Sequence, residues 1–352
     1  MAENEPILKG VKYIVPVASG KGGVGKSTLS ANLAVSLANQ GFKVGLMDAD
    51  VYGPSIPMLM GAEEQPKQEG QKIIPPECFG VKIISMGFFL PKDDAVIWRG
   101  PMLHKMIEQF LGLVEWGELD YLIVDLPPGT GDIQLSLCQS IRLTGAVIVS
   151  TPQDLAFSVA EKAITMFNKL KTPIIGLVEN MSGEVFGKGN GEKYANEKEI
   201  PFLGDIPLSV DIRVQSDRGK PVCFVSPDSD SAKAFTSIAE NLNKILESSP
   251  DKSEQNQFIP QNISQPSEDL IKIEWKDGAV NELKALDVRA ACMCAKCVDE
   301  MTGKRNIPKE LLDPKVHVKD MSYVGNYGVS FQWSDGHGSG IYSFDYLKKL
   351  VG

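Results

Sequence analysis

The sequence GKGGVGKST at residues 20–28 decides the fold, because it fits the pattern G-x-x-x-x-G-K-[ST]. A short apolar segment, 13–18, precedes it, and residues 27–39 follow with leucines at helical spacing. A glycine-rich turn between a strand and a helix directs backbone N–H groups at a phosphate, and the helix adds its positive dipole end. The stretch therefore predicts a nucleotide-binding loop. The predicted contacts are Gly20, Lys21, Gly22, Gly23, Val24, Gly25, Lys26, Ser27 and Thr28.

The side chains in and near this loop indicate ATP together with magnesium. The ammonium group of Lys26 neutralises charge on the β- and γ-phosphates, and the hydroxyl of Ser27 is a ligand for Mg²⁺. Asp48, Asp50 and Asp125 each follow an apolar segment that we interpret as a strand. Because ligands of α/β sheets bind at the carboxyl ends of the strands, we predict that Asp48 belongs to the nucleotide site. The predicted magnesium ligands are Ser27, Asp50 and Asp125.

The first two thirds of the chain alternate apolar segments with segments of helical spacing. The sequence predicts strands at 13–18, 44–47, 81–86, 121–124, 146–150 and 174–179, and helices at 27–39, 101–114, 155–170 and 231–246. Strands that are apolar throughout and separated by helices form parallel sheets that are covered on both faces. We therefore predict an α/β fold, in which a P-loop NTPase domain with a mostly parallel sheet and helices on both faces occupies residues 1–247.

The composition restricts the possible locations and partners. A chain of 352 residues with 43% hydrophobic residues is long enough for two domains of ordinary size. Its net charge of −9 disfavours binding to nucleic acid. No apolar run approaches the roughly 20 residues of a membrane span, and the first ten residues are acidic without an apolar segment. We expect a soluble, cytoplasmic protein that binds neither nucleic acid nor membranes.

The chain changes character after the last of these helices. Residues 248–268, SSPDKSEQNQFIPQNISQPSE, are polar and rich in Gln, Ser and Pro, which predicts a flexible linker. A small α+β metal-binding domain is predicted at 269–352. Within it, IKIEWKDG (271–278) is similar to VSFQWSDG (329–336), and in both an alternating segment meets Asp-Gly, a hairpin signal. The similarity predicts two repeats, each a hairpin followed by a helix.

Three of the six cysteines, Cys292, Cys294 and Cys297, lie within six residues. In a reducing compartment this density predicts a metal site and not a set of disulfides. A tetrahedral zinc site needs a fourth ligand. His337 follows the second Asp-Gly turn, so pairing of the two repeats would bring it to the thiols, and His317 is the alternative.

Several segments of the chain resemble the Mrp/ApbC family of iron–sulfur cluster carrier ATPases over residues 10–245. The matching segments are SGKGGVGKST (19–28), DADVYGPS (48–55), WRGPM (98–102), WGELDYLIVDLPPGTGD (116–132), STPQDLA (150–156), VENMS (178–182) and GDIPL (204–208). The resemblance implies an ATPase that handles iron–sulfur clusters, with client or scaffold proteins as partners.

The pattern K-G-G-x-G-K-[ST] also resembles the deviant Walker A loop of the MinD, nitrogenase iron protein and Mrp class. This resemblance implies a homodimer with ATP at its interface, in which Lys21 reaches the nucleotide bound by the other subunit. It further implies that Asp50 orients the attacking water, that Gly129 offers a free amide to the γ-phosphate, and that Asn180 contacts adenine. Lys21, Lys26 and Asp50 are thus the predicted catalytic residues.

One departure from the family concerns the cluster itself. Most members carry a C-x-x-C pair shortly after Asn-Met-Ser, where the pairs of two subunits bridge a cluster. In this chain residues 181–190 read MSGEVFGKGN and contain no cysteine. Since thiolates are the usual ligands of iron–sulfur clusters, the sequence predicts ATP binding without the usual cluster site. An ATPase switch of the MinD/ParA kind, or a zinc-dependent adaptor, is the alternative function.

A second resemblance covers the last part of the chain, residues 268–352. ACMCAKCVDEMTGKR (291–305) and WSDGHGSGIYSFDYL (333–347) resemble the zinc-binding N-terminal domain of gamma-butyrobetaine hydroxylase. The resemblance implies a structural zinc ion held by Cys292, Cys294, Cys297 and His337, with an iron–sulfur cluster at these residues as the alternative. The catalytic domain of the hydroxylase has no counterpart in this chain, so no oxygenase activity is implied.

Overall fold

The computed structural model describes residues 8, 10–89, 110–248, 260–299, 302–325 and 327–350, without the side chains of residues 132 and 133. Within the described residues, the chain divides into two compact units, one that ends at residue 248 and one that begins at residue 260. The predicted helix at 101–114 lies outside the described residues up to position 109, as does the segment WRGPM.

A mostly parallel sheet forms the centre of the first unit. The strands of this unit are β1 Val11–Ser19, β2 Val44–Asp48, β3 Lys67–Glu69, β4 Lys72–Ile74, β5 Glu77–Cys78, β6 Val81–Ser85, β7 Leu119–Asp125, β8 Ala146–Ser150, β9 Ile174–Ser182 and β10 Phe202–Pro207. Eight of them form the sheet in the order β10-β9-β8-β1-β7-β2-β6-β5, while β3 and β4 pair separately. All neighbours in the large sheet are parallel except the edge pair β5 and β6.

Helices connect the strands of this sheet. The helices with described bounds are α1 Lys26–Asn39, α2 Ile56–Leu59, α3 Asp132–Ser140, α4 Asp154–Lys169, α5 Asn190–Glu197, α6 Val210–Asp217, α7 Val222–Val225 and α8 Asp230–Ser248. Side chains of β1 are buried without interruption from residue 14 to 19, as expected for a strand that is covered on both faces. The predicted fold class is confirmed. Within the described ranges, the structure contains no helix with the length and hydropathy needed to cross a bilayer.

The second unit consists of two similar halves. The first half comprises β11 Pro260–Ser267, β12 Leu270–Trp275, β13 Val280–Lys284 and α9 Ala285–Ala290, and the second half comprises β14 Val318–Val324, β15 Gly328–Trp333, β16 Ile341–Ser343 and α10 Phe344–Lys349. Each half is a three-stranded antiparallel sheet followed by a helix. Trp275 and Trp333 end the matching strands, and both are 1% exposed in the core of the unit.

The predicted linker at 248–268 is wrong for residues 260–267, because Pro260–Ser267 forms strand β11. Composition misled the prediction, since β11 buries little more than Ile263, which pairs with Ile273 of β12. An edge strand with one covered face can be polar at most of its positions. Residues 249–259 of the predicted linker lie outside the described part of the chain.

The core of the first unit allows a direct test of the fold. Leu33 of α1 is fully buried in the cluster that α1 and α8 form on the sheet. We expect Leu33→Ala to lower the free energy of unfolding by about 2–5 kcal/mol, because it leaves a cavity. Leu155→Ala removes the same atoms from a side chain that is 74% exposed and should change stability by less than about 0.5 kcal/mol. Urea unfolding of both variants measures the difference, and equal losses would contradict the described packing.

Candidate functional site

The glycine-rich loop joins β1 to α1 and is shaped by close packing. A Cβ atom on Gly20 would lie 2.4 Å from the backbone carbon of Val159 in α4, so only glycine fits there. Gly23 and Gly25 have φ values of 79° and 81°, a left-handed conformation that glycine adopts without strain. α1 then begins at Lys26, so that its N-terminal amides face the loop.

The carboxylate of Asp125 at the end of β7 holds the first turn of α1. Lys26 Nζ donates to Oδ2 of Asp125 at 2.7 Å, and Ser27 Oγ donates to the same oxygen at 2.5 Å. Ser30 Oγ donates to the other oxygen, Oδ1, at 2.7 Å. Lys26 and Asp125 are 6% and 0% exposed, so each buried charge has its opposite charge as a partner. The sequence reasoning missed Ser30, although its position one turn after Lys26 offered a signal.

Two further carboxylates lie at the end of β2. Asp50 lines the pocket, and its Oδ2 atom is 3.8 Å from Lys26 Nζ. Asp48 is fully buried and accepts hydrogen bonds from the amides of Asp50 and Ile56 and from Ser85 Oγ. Burial and the nearby charge of Asp125 raise the pKa of Asp48 to about 7. Asp48 thus holds the segment that carries Asp50 in place. A contact between Asp48 and the nucleotide stays a prediction.

The loop and these strand ends enclose a pocket of about 270 Å³. Its walls are Ser19, Lys21, Gly22, Gly23, Gly25, Lys26, Ser27, Thr28, Asp50, Ser55, Leu59 and Pro128. Both lysines of the loop and the hydroxyl-bearing residues Ser27 and Thr28 therefore line the same pocket. The oxygen atoms of Ser27, Asp50 and Asp125 are hard ligands, and they fit the preference of Mg²⁺ for oxygen.

The expectation of a free amide at Gly129 is wrong in this structure. The Gly129 N–H donates to the carbonyl oxygen of Ser19 at 3.0 Å. Pro127 and Pro128 have no N–H, and Gly129, with φ of 93°, is the next residue that can turn an amide back toward the end of β1. Sensing of a γ-phosphate by this amide would require the hydrogen bond to break.

The side chain of Asn180, in β9, holds the glycine-rich loop through a hydrogen bond. Its Nδ2 atom donates to the carbonyl oxygen of Val24 at 2.7 Å, and the side chain is 7% exposed. A Cβ on Gly25 would lie 2.2 Å from the same nitrogen, so any larger residue at position 25 would clash with the side chain of Asn180. The proposed contact between Asn180 and adenine stays a prediction, whereas the contact with the loop is direct.

The segment after Asn180 is organised by Glu179 and not by cysteine. The carboxylate of Glu179 accepts hydrogen bonds from the amides of Gly189 at 2.9 Å and Gly191 at 2.5 Å. These amides lie at the start of α5, and Gly183 and Gly187 pair across the short turn before it. No residue from 181 to 197 carries a thiol, so this segment cannot hold an iron–sulfur cluster through cysteine.

The second unit brings four side chains of metal-ligating types to one point. The Sγ atoms of Cys292, Cys294 and Cys297 lie 3.2, 3.6 and 3.7 Å from Nε2 of His337. All four ligand atoms lie within 4.8 Å of one another. His317 does not belong to this group. Its Nδ1 atom contacts the carbonyl oxygen of Lys315 at 3.1 Å.

These distances fit a single tetrahedral ion. Zn–S bonds of about 2.3 Å and Zn–N bonds of about 2.0–2.1 Å place a thiolate sulfur about 3.6 Å from an imidazole nitrogen. Burial and the charge of Arg289 lower the pKa of His337, which keeps the imidazole in the neutral form that binds metals. Although burial opposes it, hydrogen bonds from Ser339 and from backbone amides lower the pKa of Cys294 to about 7.

Backbone contacts hold the cysteines in place. The amides of Cys297 and Val298 both donate to the carbonyl oxygen of Cys294, which closes a tight turn. Arg305 Nη1 donates to the carbonyl oxygen of Cys292 at 3.1 Å. A Cβ on Gly340 would lie 2.5 Å from Sγ of Cys292, so a larger residue there would displace the thiol. Sequence reasoning missed both Arg305 and Gly340.

Comparison with protein families assigns both units. The model of the NUBPL iron-transfer P-loop NTPases, part of the ParA group, matches residues 10–243. The chain belongs to this NUBPL family. The model of the gamma-butyrobetaine hydroxylase-like N-terminal domain matches residues 263–348. Both resemblances expected from the sequence are confirmed.

Relatives within the NUBPL family carry names that refer to iron–sulfur clusters. The iron–sulfur cluster carrier protein of Aquifex aeolicus is 50% identical over 254 residues, which cover 68% of this chain and 70% of the relative. The iron–sulfur cluster transfer protein NUBPL of Mus musculus is 47% identical over 257 residues, which cover 69% of this chain and 81% of the relative.

Solved structures of similar proteins agree with the fold of the first unit. A nucleotide-binding protein of Archaeoglobus fulgidus in complex with ADP is 41% identical with a TM-score of 0.58, covering 67% of this chain and 98% of that protein. The cell division ATPase MinD of Pyrococcus furiosus is 26% identical with a TM-score of 0.55, covering 66% of this chain and 99% of that protein. This chain is therefore a P-loop NTPase of the NUBPL family.

Close packing at Gly20 leads to a prediction for the loop. We expect Gly20→Ala to weaken Mg-ATP binding by at least about tenfold, because the added Cβ must displace the loop from the backbone of α4. Among the described residues, nothing lies within 4 Å of a Cβ on Gly112, so Gly112→Ala is a matched control. Calorimetric titration with Mg-ATP measures both affinities. Wild-type affinity in Gly20→Ala would contradict the tight approach.

Proposed function

We propose that this protein binds and hydrolyses ATP with magnesium and uses the ATP cycle in the assembly of iron–sulfur clusters on client proteins. The observation that carries the first part is the set of hydrogen bonds that joins Lys26 and Ser27, which line the glycine-rich pocket, to the buried carboxylate of Asp125. The second part is supported by the family, whose relatives are named as cluster carriers and transfer proteins.

Hydrolysis would proceed by in-line attack of water on the γ-phosphate. Lys26 would stay close to the β- and γ-phosphates, where its charge offsets the negative charge that develops in the transition state. Asp50, which lines the pocket, would orient the attacking water. Bound magnesium, held by Ser27, Asp50 and Asp125, would supply further positive charge at the phosphates.

Lys21 is the residue through which a second subunit would act. It lies in the loop, is only partly buried and lines the pocket. We propose that two copies of this chain form a homodimer with ATP at the interface, and that Lys21 of each contacts the nucleotide of the other. A second cation at the γ-phosphate would then depend on the dimer, as an arginine finger does.

The second unit would hold zinc. Three thiols and one imidazole around a single point, at distances that suit one ion, support zinc over a cluster, because a two-iron cluster spreads its ligands over two metal atoms. We propose a resident zinc ion that stabilises this unit by joining its two halves. A zinc-dependent adaptor is the second candidate function, favoured by this site and by the lack of cysteine at 181–197.

Two lysine variants test the nucleotide site. Lys26→Ala removes the partner of Asp125 and the main phosphate contact, so we expect ATP hydrolysis to fall by at least about 100-fold. Lys21→Ala should bind Mg-ATP with nearly wild-type affinity but lose most of its turnover. Lys169 is the last residue of α4, and Lys169→Ala serves as a control that should keep wild-type turnover. Phosphate release measures all three, and unchanged hydrolysis in Lys26→Ala would overturn the site.

Metal analysis tests the zinc centre. Freshly purified, untagged protein should contain zinc, close to one ion per chain, and should take up neither iron nor sulfide under anaerobic reconstitution. Cys297→Ser and His337→Ala should lose most of this zinc, because each removes one ligand of four. Cys78→Ser, which changes a half-buried cysteine outside the cluster, should keep it. Uptake of iron and sulfide in place of zinc would refute a zinc centre.

A further inference from the structure

A buried arginine lies beside the metal-binding cysteines. Among the described residues of the second unit, Arg289 of α9 is the charged residue that is buried, with 3% of its surface exposed. Burying a guanidinium group costs free energy unless anions and hydrogen-bond acceptors surround it. Its partners should therefore explain why it is kept there.

Arg289 contacts both a carboxylate and a predicted metal ligand. Its Nε atom donates to Oδ2 of Asp335 at 2.8 Å, and its Nη1 atom donates to Sγ of Cys297 at 3.5 Å. The other oxygen of Asp335 accepts the backbone N–H of His337 at 2.9 Å. A continuous series of hydrogen bonds therefore runs from one thiol ligand to the backbone of the imidazole ligand.

The net charge of a metal-loaded site would explain the contact between Arg289 and Cys297. A divalent ion bound by three thiolates keeps one net negative charge, and Cys292 and Cys297 are only 1% and 2% exposed. The side chain of Asp335 is 23% exposed, so water stabilises part of its charge, whereas that of Arg289 is 4% exposed and faces the sulfur. The guanidinium group is thus placed where it offsets the charge of the bound thiolates.

The other half of the unit offers an internal comparison. Asp277 occupies the turn that matches Asp335, and it pairs with Lys348 of α10 at 2.5 Å. These two side chains are 29% and 26% exposed. The pair beside the cysteines uses arginine, whose planar fork reaches two acceptors. The side chain of Arg289 is 4% exposed against 26% for Lys348, whereas the two aspartates differ little.

We propose that Arg289 is a positioning residue of the metal centre, which raises metal affinity and lowers the reactivity of the Cys297 thiolate. The inference rests on the proposed zinc site and adds a residue that acts from outside the ligand set. The hydrogen bond to sulfur withdraws electron density from the thiolate, and Asp335 orients both the guanidinium group and the segment of His337. Partners of this outer kind commonly change metal affinity by about 10–100-fold.

Affinity for zinc and alkylation of Cys297 test the proposal in the full chain. Arg289→Gln should weaken zinc binding by about 10–100-fold in competition with a chromophoric chelator. Iodoacetamide should also alkylate Cys297 faster in the zinc-loaded variant, as measured by mass spectrometry. Arg289→Lys keeps the charge but not the fork, and it should fall between the variant and the wild type. Lys348→Gln removes the matching ion pair away from the cysteines and should leave both quantities unchanged.

The outcomes separate this inference from the zinc site itself. If the wild type binds no divalent metal, the proposed zinc site fails and the role of Arg289 fails with it. If the wild type binds zinc but Arg289→Gln binds it equally well, only the role of Arg289 is overturned. Equal losses in Arg289→Gln and Lys348→Gln would show a purely structural ion pair and would also overturn it. Should Arg289→Gln fail to fold by circular dichroism, Arg289→Lys decides: wild-type affinity and alkylation rate in that variant contradict the proposal.

Discussion

The ion pair between Lys26 and Asp125 is the constraint on which the first unit depends. A lysine that is 6% exposed needs an anion within reach, and the register of the sheet supplies one. Asp125 lies opposite Val17 of β1 and opposite Asp48 of β2, so its carboxylate sits at the centre of three neighbouring strand ends. The same carboxylate also accepts hydrogen bonds from Ser27 and Ser30. One buried anion thus fixes the start of α1, and with it the direction of the amides that face the pocket.

In the second unit, a group of three thiols and one imidazole takes the place of this ion pair. The geometry of Cys292, Cys294, Cys297 and His337 is suited to a single metal ion. The segment after Asn180 contains no cysteine, and the carboxylate of Glu179 and glycine amides make its contacts. Among the described residues, the thiol and imidazole groups suited to a soft metal ion therefore lie together in the smaller unit, while the nucleotide pocket lies in the larger one.

Sequence reasoning predicted the parts of the structure that have short-range signals. The loop at 20–28, the apolar strands and the cysteine spacing each appear within a few residues, so the P-loop fold and the thiol group could be predicted. His337 lies 40 to 45 residues beyond the cysteines, and only the internal repeat indicated it. Contacts set by long-range packing could not. Gly129 was expected to have a free amide, but the neighbouring end of β1 provides an acceptor for it. Strand β11 was interpreted as linker, because a single buried isoleucine is a weak signal within a polar segment. Arg289 could not be identified, since its partners lie 8 and 46 residues away along the chain.

The central claim is that the amides of residues 20–28, together with Lys26 and Ser27, bind a magnesium-complexed triphosphate. Calorimetric titration of the full-length protein with ATP, with and without Mg²⁺, tests it most directly. The account predicts saturable binding with one ATP per chain that is tighter with Mg²⁺ present. Absence of any binding under both conditions, in protein that is folded by circular dichroism, would contradict it.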